Sequence, residues 1–114
     1  MELYNKLTLK IIVDKHHEEF YMPKSLFNGY KGLRLETKLA YVAILDTLMS
    51  NANYRHQDNM AFIKVNNPNI AKNLAVLANK KVDQDKISKY ISELLDANLI
   101  EVDKQDLFVY DLES

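Results

Sequence analysis

Apolar residues recur every three or four positions in two long stretches of the chain, and this spacing predicts two amphipathic helices. The first runs from Leu35 to about Ser50, with apolar positions at Leu35, Leu39, Val42, Leu45, Leu48 and Met49. The second runs from Gln84 to Ala97, and its apolar side holds Ile87, Tyr90, Ile91, Leu94 and Leu95. Asp83 suits the N-cap of the second helix, and Asn98 tolerates the left-handed conformation that ends one.

A third helix is predicted just before the Gln84–Ala97 helix. Asn67 is a suitable N-cap and Pro68 falls in the first turn, where proline is favoured. Its buried side is marked by Ile70, Leu74 and Leu77. The connection "NKKV" between the two helices is short, so together they form a candidate helix-turn-helix.

Four segments have the composition of β-strands. "LTLKIIV" (Leu7–Val13) places Leu7, Leu9, Ile11 and Val13 at alternate positions, which predicts a strand. "MAFIKV" (Met60–Val65) predicts another, and "LIEV" and "LFVY" flank "DKQD" as a hairpin. Between the first strand and the long helix, Pro23 opens a short helical piece to Phe27, and "NGYKG" forms a loop.

The resulting order is strand, helix, strand, helix, short turn, helix and hairpin. A helix-turn-helix whose last helix runs directly into a β-hairpin is typical of winged-helix proteins. We therefore predict an α+β fold, a winged helix-turn-helix with an extra N-terminal strand. At 114 residues, the chain is expected to form a single winged-helix domain over residues 1–114.

Net charge changes sign along the chain. Its overall value of −1 argues against a protein coated in basic residues. Residues 64–93 hold six lysines and three acids, a net of +3, whereas residues 94–114 hold one lysine and six acids, a net of −5. Cysteine is absent, the N-terminus lacks the apolar core of a secretion signal, and no apolar run reaches 18 residues. These features indicate a cytoplasmic protein with no membrane contact.

Catalysis is not expected from this sequence. No serine, threonine or lysine stands in a nucleophile signature, and the two glycines cannot form a phosphate loop. His16, His17 and His56 lack the spacing of a metal site and are expected in exposed positions. We therefore predict neither an enzyme nor a bound metal or cofactor.

Binding to double-stranded DNA is the chemistry that the lysine-rich segment favours. The outward side of the Gln84–Ala97 helix offers Gln84, Ser88, Lys89 and Ser92, which suit base edges in the major groove. Lysines at and before this helix suit phosphates. The predicted DNA-binding residues are Lys72, Lys80, Lys81, Gln84, Lys86, Ser88, Lys89 and Ser92.

Other features oppose this interpretation. Asp85 lies on the outward side and opposes DNA binding unless it accepts from cytosine or only interacts with the helix dipole. The hairpin "DKQD" offers one lysine between two acids to a DNA backbone. The same positions could be the ordinary solvated side of a helix. Tyr90, Phe108 and Tyr110 fall within apolar patterns and are expected in the core instead of stacking on bases.

The segment "EEFYMPKSLFNGYKGLRLETKLAYVAILDTL" (Glu18–Leu48) resembles the N-terminal domain of RepA-type plasmid replication initiators of Gram-positive bacteria. That family's pattern begins with an aromatic pair, Pro-Lys, Leu-Phe and Tyr-Lys-x-Leu, and continues with a helix that holds Ala-Lys and Tyr. The residues of this chain that resemble it are Phe20, Tyr21, Pro23, Lys24, Leu26, Phe27, Tyr30, Lys31, Leu33, Lys38 and Tyr41. The likeness continues through "NYRHQDNMAFIKV" to "ISELLDANLIEV". Arg34 departs from it, since a capping serine is usual there.

The resemblance implies a winged helix that binds direct repeats at a plasmid origin as a homodimer. In that family a second domain, thought to engage host replication proteins, normally follows. The strand "LTLKIIV" is the expected dimer surface, through pairing with its twin. Two alternatives stay open: a winged helix that docks a basic protein partner through Asp103, Asp106 and Asp111, or a small plasmid or phage transcriptional regulator.

Overall fold

The computed structural model describes residues 1–113 and contains five helices and five strands. The first half holds β1 (Glu2–Leu3), α1 (Lys6–His16), α2 (Lys24–Asn28), α3 (Leu35–Asn51) and β2 (Asn53–Tyr54). The second half holds β3 (Ala61–Lys64), α4 (Pro68–Ala78), α5 (Gln84–Asp96), β4 (Ile100–Asp103) and β5 (Asp106–Asp111). The predicted α+β class is therefore confirmed.

The predicted strand Leu7–Val13 is wrong, because this segment is helix α1. Asn5 caps the helix: its side chain accepts from the Thr8 backbone at 2.9 Å while the Thr8 hydroxyl accepts from the Asn5 backbone. The alternation of apolar residues coincided with helical spacing, since α1 buries Leu9 and Ile12 and leaves Leu7 and Ile11 exposed. Dimerisation by strand pairing at this segment is excluded with the strand. The N-terminal strand is instead the short β1.

Helix α3 is the central element of the core. Its fully buried residues include Tyr41, Ile44, Leu45 and Leu48, and it packs against α1, α4, α5 and β3. The predicted span of Leu35–Ser50 agrees with the observed helix to within one residue. The helix is apolar on most of its circumference because neighbours cover it on several sides.

Helices α4 and α5 begin at the predicted residues, and α5 ends at Asp96, one residue before the predicted Ala97. The Asn67 side chain accepts from the Asn69 backbone at 2.8 Å, and the Asp83 side chain accepts from the Lys86 backbone at 2.9 Å. Asn79 follows α4 with φ 54° and Asn98 follows α5 with φ 58°. Asparagine tolerates this left-handed conformation better than most residues do, which fixes both helix ends.

Strand β5 pairs with three of the other four strands of the antiparallel sheet. It pairs with β4 through a two-residue turn, with β3 at Ile63–Leu107 and with β1 at Leu3–Tyr110. Strand β3 also pairs with the short β2. On one face of β5, the side chains of Leu107 and Val109 are buried in the hydrophobic core. No helix in residues 1–113 combines the length and the apolar character that crossing a membrane requires.

Candidate nucleic-acid interface

Helix α5 presents one apolar face to the core and one polar face to solvent. Ile87, Tyr90 and Leu94 are buried, whereas Ile91 and Leu95 are half-buried at the edges of the contact. The opposite side, here called the outward face of α5, consists of Gln84, Asp85, Ser88, Lys89 and Ser92. All five of these residues are exposed. The helix therefore places a continuous polar strip on the protein surface.

The eight predicted DNA-binding residues are all exposed, and they lie on three consecutive parts of the chain. Lys72 lies on α4, and Lys80 and Lys81 lie in the loop before α5. The other five lie on α5 itself: Gln84, Lys86, Ser88, Lys89 and Ser92. The short connection between the helices brings the loop lysines to the N-terminal end of α5. The structure thus places seven of the eight residues on α5 or in the loop that precedes it.

Five of the six lysines of the basic segment have no acidic partner within residues 1–113. Across residues 1–113, Lys72, Lys80, Lys81, Lys86 and Lys89 form no ion pair. The sixth lysine of the basic segment, Lys64, pairs with Asp106 at 2.6 Å. Five cationic side chains therefore stay available to an anionic partner.

Besides the exposed N-cap Asp83, two carboxylates accompany these lysines. Asp85 lies in the first turn of α5, where a negative charge interacts favourably with the helix dipole. Asp96 ends the helix and is also exposed. Because both acids are near the ends of α5, the middle of the outward face is formed by Ser88, Lys89 and Ser92.

A polar contact that the sequence analysis missed joins α5 to the start of α3. The Thr37 hydroxyl donates to one oxygen of Glu93, and Arg34 pairs with the other at 2.9 Å. Thr37 is fully buried, so its hydroxyl needs this acceptor. Arg34 occupies the N-cap of α3 without capping it, as expected from its chemistry, and its side chain reaches α5 instead. Only the packing of the two helices reveals the contact.

The β4–β5 hairpin is acidic at its tip. Asp103 and Asp106 are paired across a turn formed by Lys104, with φ 58°, and Gln105. The charge of Asp106 is offset by Lys64. Asp111 is at the other end of β5, five residues away, which is about 17 Å along a strand. The three acids assigned to a protein-binding hairpin therefore do not form one cluster.

The aromatic residues of this region follow the expected burial in two cases. Tyr90 and Phe108 are buried, and Phe108 is covered on the outer face of the sheet by Arg55, whose guanidinium is 5.1 Å from the ring centroid. Tyr110 is only half-buried. Its hydroxyl donates to Glu101, and this hydrogen bond raises the pKa of Tyr110.

The residues that carry the family resemblance are mostly structural. Tyr41 is buried and its hydroxyl donates to the Tyr110 carbonyl at 2.7 Å. Lys38 is largely buried, donates to the Gly29 carbonyl at 3.3 Å and lies over the Phe27 ring. Pro23 and Leu26 are buried as well. This block fixes α2 and the following loop against α3.

His16 lines a groove beside α1, and the other two histidines lie on the surface. His16 stacks on Tyr21 at 4.2 Å and its ring nitrogen lies 3.0 Å from Glu19, while His17 and His56 are exposed. The groove has a volume of about 440 Å³ and is also lined by Ile11, Met22 and Lys24 among others. Within residues 1–113, no group of three or more acidic or histidine side chains is arranged to hold a metal ion.

Comparison of the chain with protein-family models, with curated proteins and with solved structures finds no match.

Proposed function

We propose that this protein is a winged-helix domain that binds double-stranded DNA, with α5 in the major groove. The observation that carries the proposal is the outward face of α5, which is exposed and polar, together with five lysines on or near it that have no acidic partner within residues 1–113. Residues near the N-terminal end of such a helix contact base edges, and neighbouring lysines contact phosphates. The element order α3, β3, α4, α5, β4 and β5 supports the winged-helix assignment.

Each predicted residue has a role in this arrangement. Gln84, Ser88, Lys89 and Ser92 are the base-contacting residues of the proposal. Phosphates would be held by the remaining four: Lys72, Lys80, Lys81 and Lys86. The loop lysines lie beside the N-terminal end of α5, where the helix dipole also favours a phosphate.

The resemblance of Glu18–Leu48 to replication initiators supports a more specific proposal. In it, the domain binds direct repeats at a plasmid-type origin as a homodimer and works with host replication proteins. The buried Pro23, Leu26 and Tyr41 support a shared fold at this block more than a shared binding site. A small transcriptional regulator would use the same DNA chemistry at a promoter.

The hairpin supports a second candidate function. Asp103 is exposed at the tip and Glu101 is exposed on the same strand, so this edge would suit a basic protein partner. A winged helix that docks a replication protein would use this surface and leave α5 solvated. Binding of duplex DNA separates the two functions.

The test is a fluorescence-anisotropy titration with duplexes that carry direct repeats from the gene's own replicon, repeated across a salt series. DNA binding predicts a linear fall of log affinity with log salt, at a slope of roughly 0.9 per phosphate contact. Preference for repeats over promoter fragments supports the initiator, and the reverse preference supports the regulator. Absence of binding at low salt contradicts DNA binding and favours the protein partner.

A further inference from the structure

We propose that Arg34 and Thr37 are positioning residues that hold Glu93 away from Lys89 and thereby keep the Lys89 charge available to DNA. The inference rests on the proposed function, since it assigns the DNA contact to Lys89. It concerns three side chains on two helices that the sequence pattern does not connect.

The spacing along α5 makes Glu93 a natural partner of Lys89. Residues four apart on a helix lie on the same side one turn away, and opposite charges at this spacing attract each other. Lys89 nevertheless forms no ion pair within residues 1–113. Asp85, one turn before Lys89, forms none with it either.

The contacts of Glu93 explain why this carboxylate is not paired with Lys89. Arg34 holds one carboxylate oxygen at 2.9 Å and the Thr37 hydroxyl donates to the other. Thr37 is fully buried and the Glu93 side chain is only 24 % exposed, so the carboxylate is turned towards α3 and away from solvent. Charge-assisted hydrogen bonds of this kind are stronger than neutral ones. The competing pair with an exposed lysine is correspondingly disfavoured.

Glu93 and Lys89 on α5 therefore have different surroundings. Glu93 is paired with Arg34 on the side of α5 that faces α3, whereas Lys89 on the outward face has no acidic partner within residues 1–113. Loss of both Arg34 and Thr37 contacts would free the Glu93 carboxylate to turn towards Lys89. An internal ion pair would then compete with the contact between Lys89 and DNA.

The experiment compares Arg34→Gln/Thr37→Val with the same pair in a Glu93→Gln background, using anisotropy on a duplex that the unmodified protein binds. Thr37→Val keeps the side-chain volume. The double variant is expected to bind at least threefold more weakly and to lose part of its preference for this duplex over an unrelated one, since Lys89 is assigned to a base contact. Addition of Glu93→Gln is expected to restore both, because the competing carboxylate is gone.

Three results contradict the inference in distinguishable ways. Equal weakening with and without Glu93→Gln means that Arg34 contacts DNA directly or that the packing of α5 is disturbed. Unchanged binding by the double variant means that Lys89 needs no such protection. In the DNA-free double variant, nuclear magnetic resonance should show contacts between the Lys89 and Glu93 side chains, and their absence contradicts the mechanism whether or not the protein binds DNA.

Discussion

At the scale of single residues, the account depends on lysines that stay charged and unpaired at the protein surface. An exposed lysine that already has an acidic partner must break that ion pair before it contacts a phosphate, as Lys64 would have to do with Asp106. The five lysines around α5 form no ion pair within residues 1–113 and so have no such cost. Exposure alone therefore says less about binding than exposure together with the absence of an internal partner.

Replacement of Ser88 and Lys89 together by alanine should weaken binding to the preferred duplex at least tenfold more than binding to an unrelated duplex. Side chains that contact base edges contribute about 1–3 kcal/mol each to discrimination, whereas phosphate contacts affect all sequences alike. Competition anisotropy measures both affinities. Lys24→Ala with Ser25→Ala is the matched control, because it removes the same two exposed side chains from α2. Equal losses on both duplexes would show that Ser88 and Lys89 do not discriminate sequence.

At the scale of secondary-structure elements, local signals predicted some segments well and failed at one. Helices α3, α4 and α5 have long periodic patterns, and two of them have polar caps, so their bounds followed from the sequence. The segment Leu7–Val13 fits both periods, and its β-branched residues favoured a strand. The capping box formed by Asn5 and Thr8 favours a helix instead, and both of its residues are visible in the sequence.

The N-cap of α5 offers a test of how firmly the proposed DNA-binding helix is anchored. Asp83→Ala removes the acceptor for the Lys86 backbone and should lower the free energy of unfolding by about 1 kcal/mol. Urea unfolding measures the change. Asp83→Asn is the matched control, because asparagine also accepts at this position and should stay near the original stability. Equal stability of the alanine and asparagine variants would contradict the capping role.

The hairpin tip should oppose DNA if it lies near the duplex in the way that a wing does. Asp103→Asn removes an exposed negative charge next to the turn and is expected to tighten duplex binding by about two- to fivefold at low salt, with a smaller effect at high salt. Glu18→Gln removes one negative charge from an exposed loop after α1 and serves as the control. The same change in both variants would indicate a general charge effect with no special position for the hairpin.

At the scale of the whole molecule, three tyrosines link stability to alkaline pH: Tyr4 and Tyr41 are buried, and Tyr21 is half-buried. Burial, as the largest cause, raises the pKa of Tyr4, Tyr41 and Tyr21 above the usual value of about 10. Below pH 10 these phenols are protonated in the folded and unfolded states alike, so stability does not depend on them. Above it, the unfolded chain loses protons that the folded protein retains, which favours unfolding.

The free energy of unfolding should therefore fall above pH 10. The expected slope is about 1.4 kcal/mol per pH unit for each tyrosine that is deprotonated in the unfolded chain but still protonated in the folded protein. Urea midpoints between pH 8 and 11.5 measure the slope. Tyr41→Phe should lower the stability at pH 8, since the hydrogen bond to the Tyr110 carbonyl is lost, and should reduce the slope by one proton. An unchanged slope in this variant would contradict the assignment of Tyr41.

The arrangement of the whole molecule also shows where sequence reasoning reaches its limit. The exposure of Lys89 and Ser92 followed from helical periodicity, because the apolar face of α5 determines which residues lie on the opposite side, towards solvent. The contact of Glu93 with Arg34 and Thr37 did not, because its partners are 56 or more residues apart and depend on the crossing of α3 and α5. Likewise, the pairing of Lys64 with Asp106 requires the register of β3 and β5.

The central claim is that α5 enters the major groove, and methylation interference tests it most directly. Duplexes bound by the protein would first be selected from a random pool, then methylated at guanine N7, an atom in the major groove, and at adenine N3, an atom in the minor groove. The account predicts that guanine N7 methylation within the selected site blocks binding, and that Ser88→Ala/Lys89→Ala removes part of this pattern. Interference confined to adenine N3, or failure of the pool to yield any bound site, would contradict it.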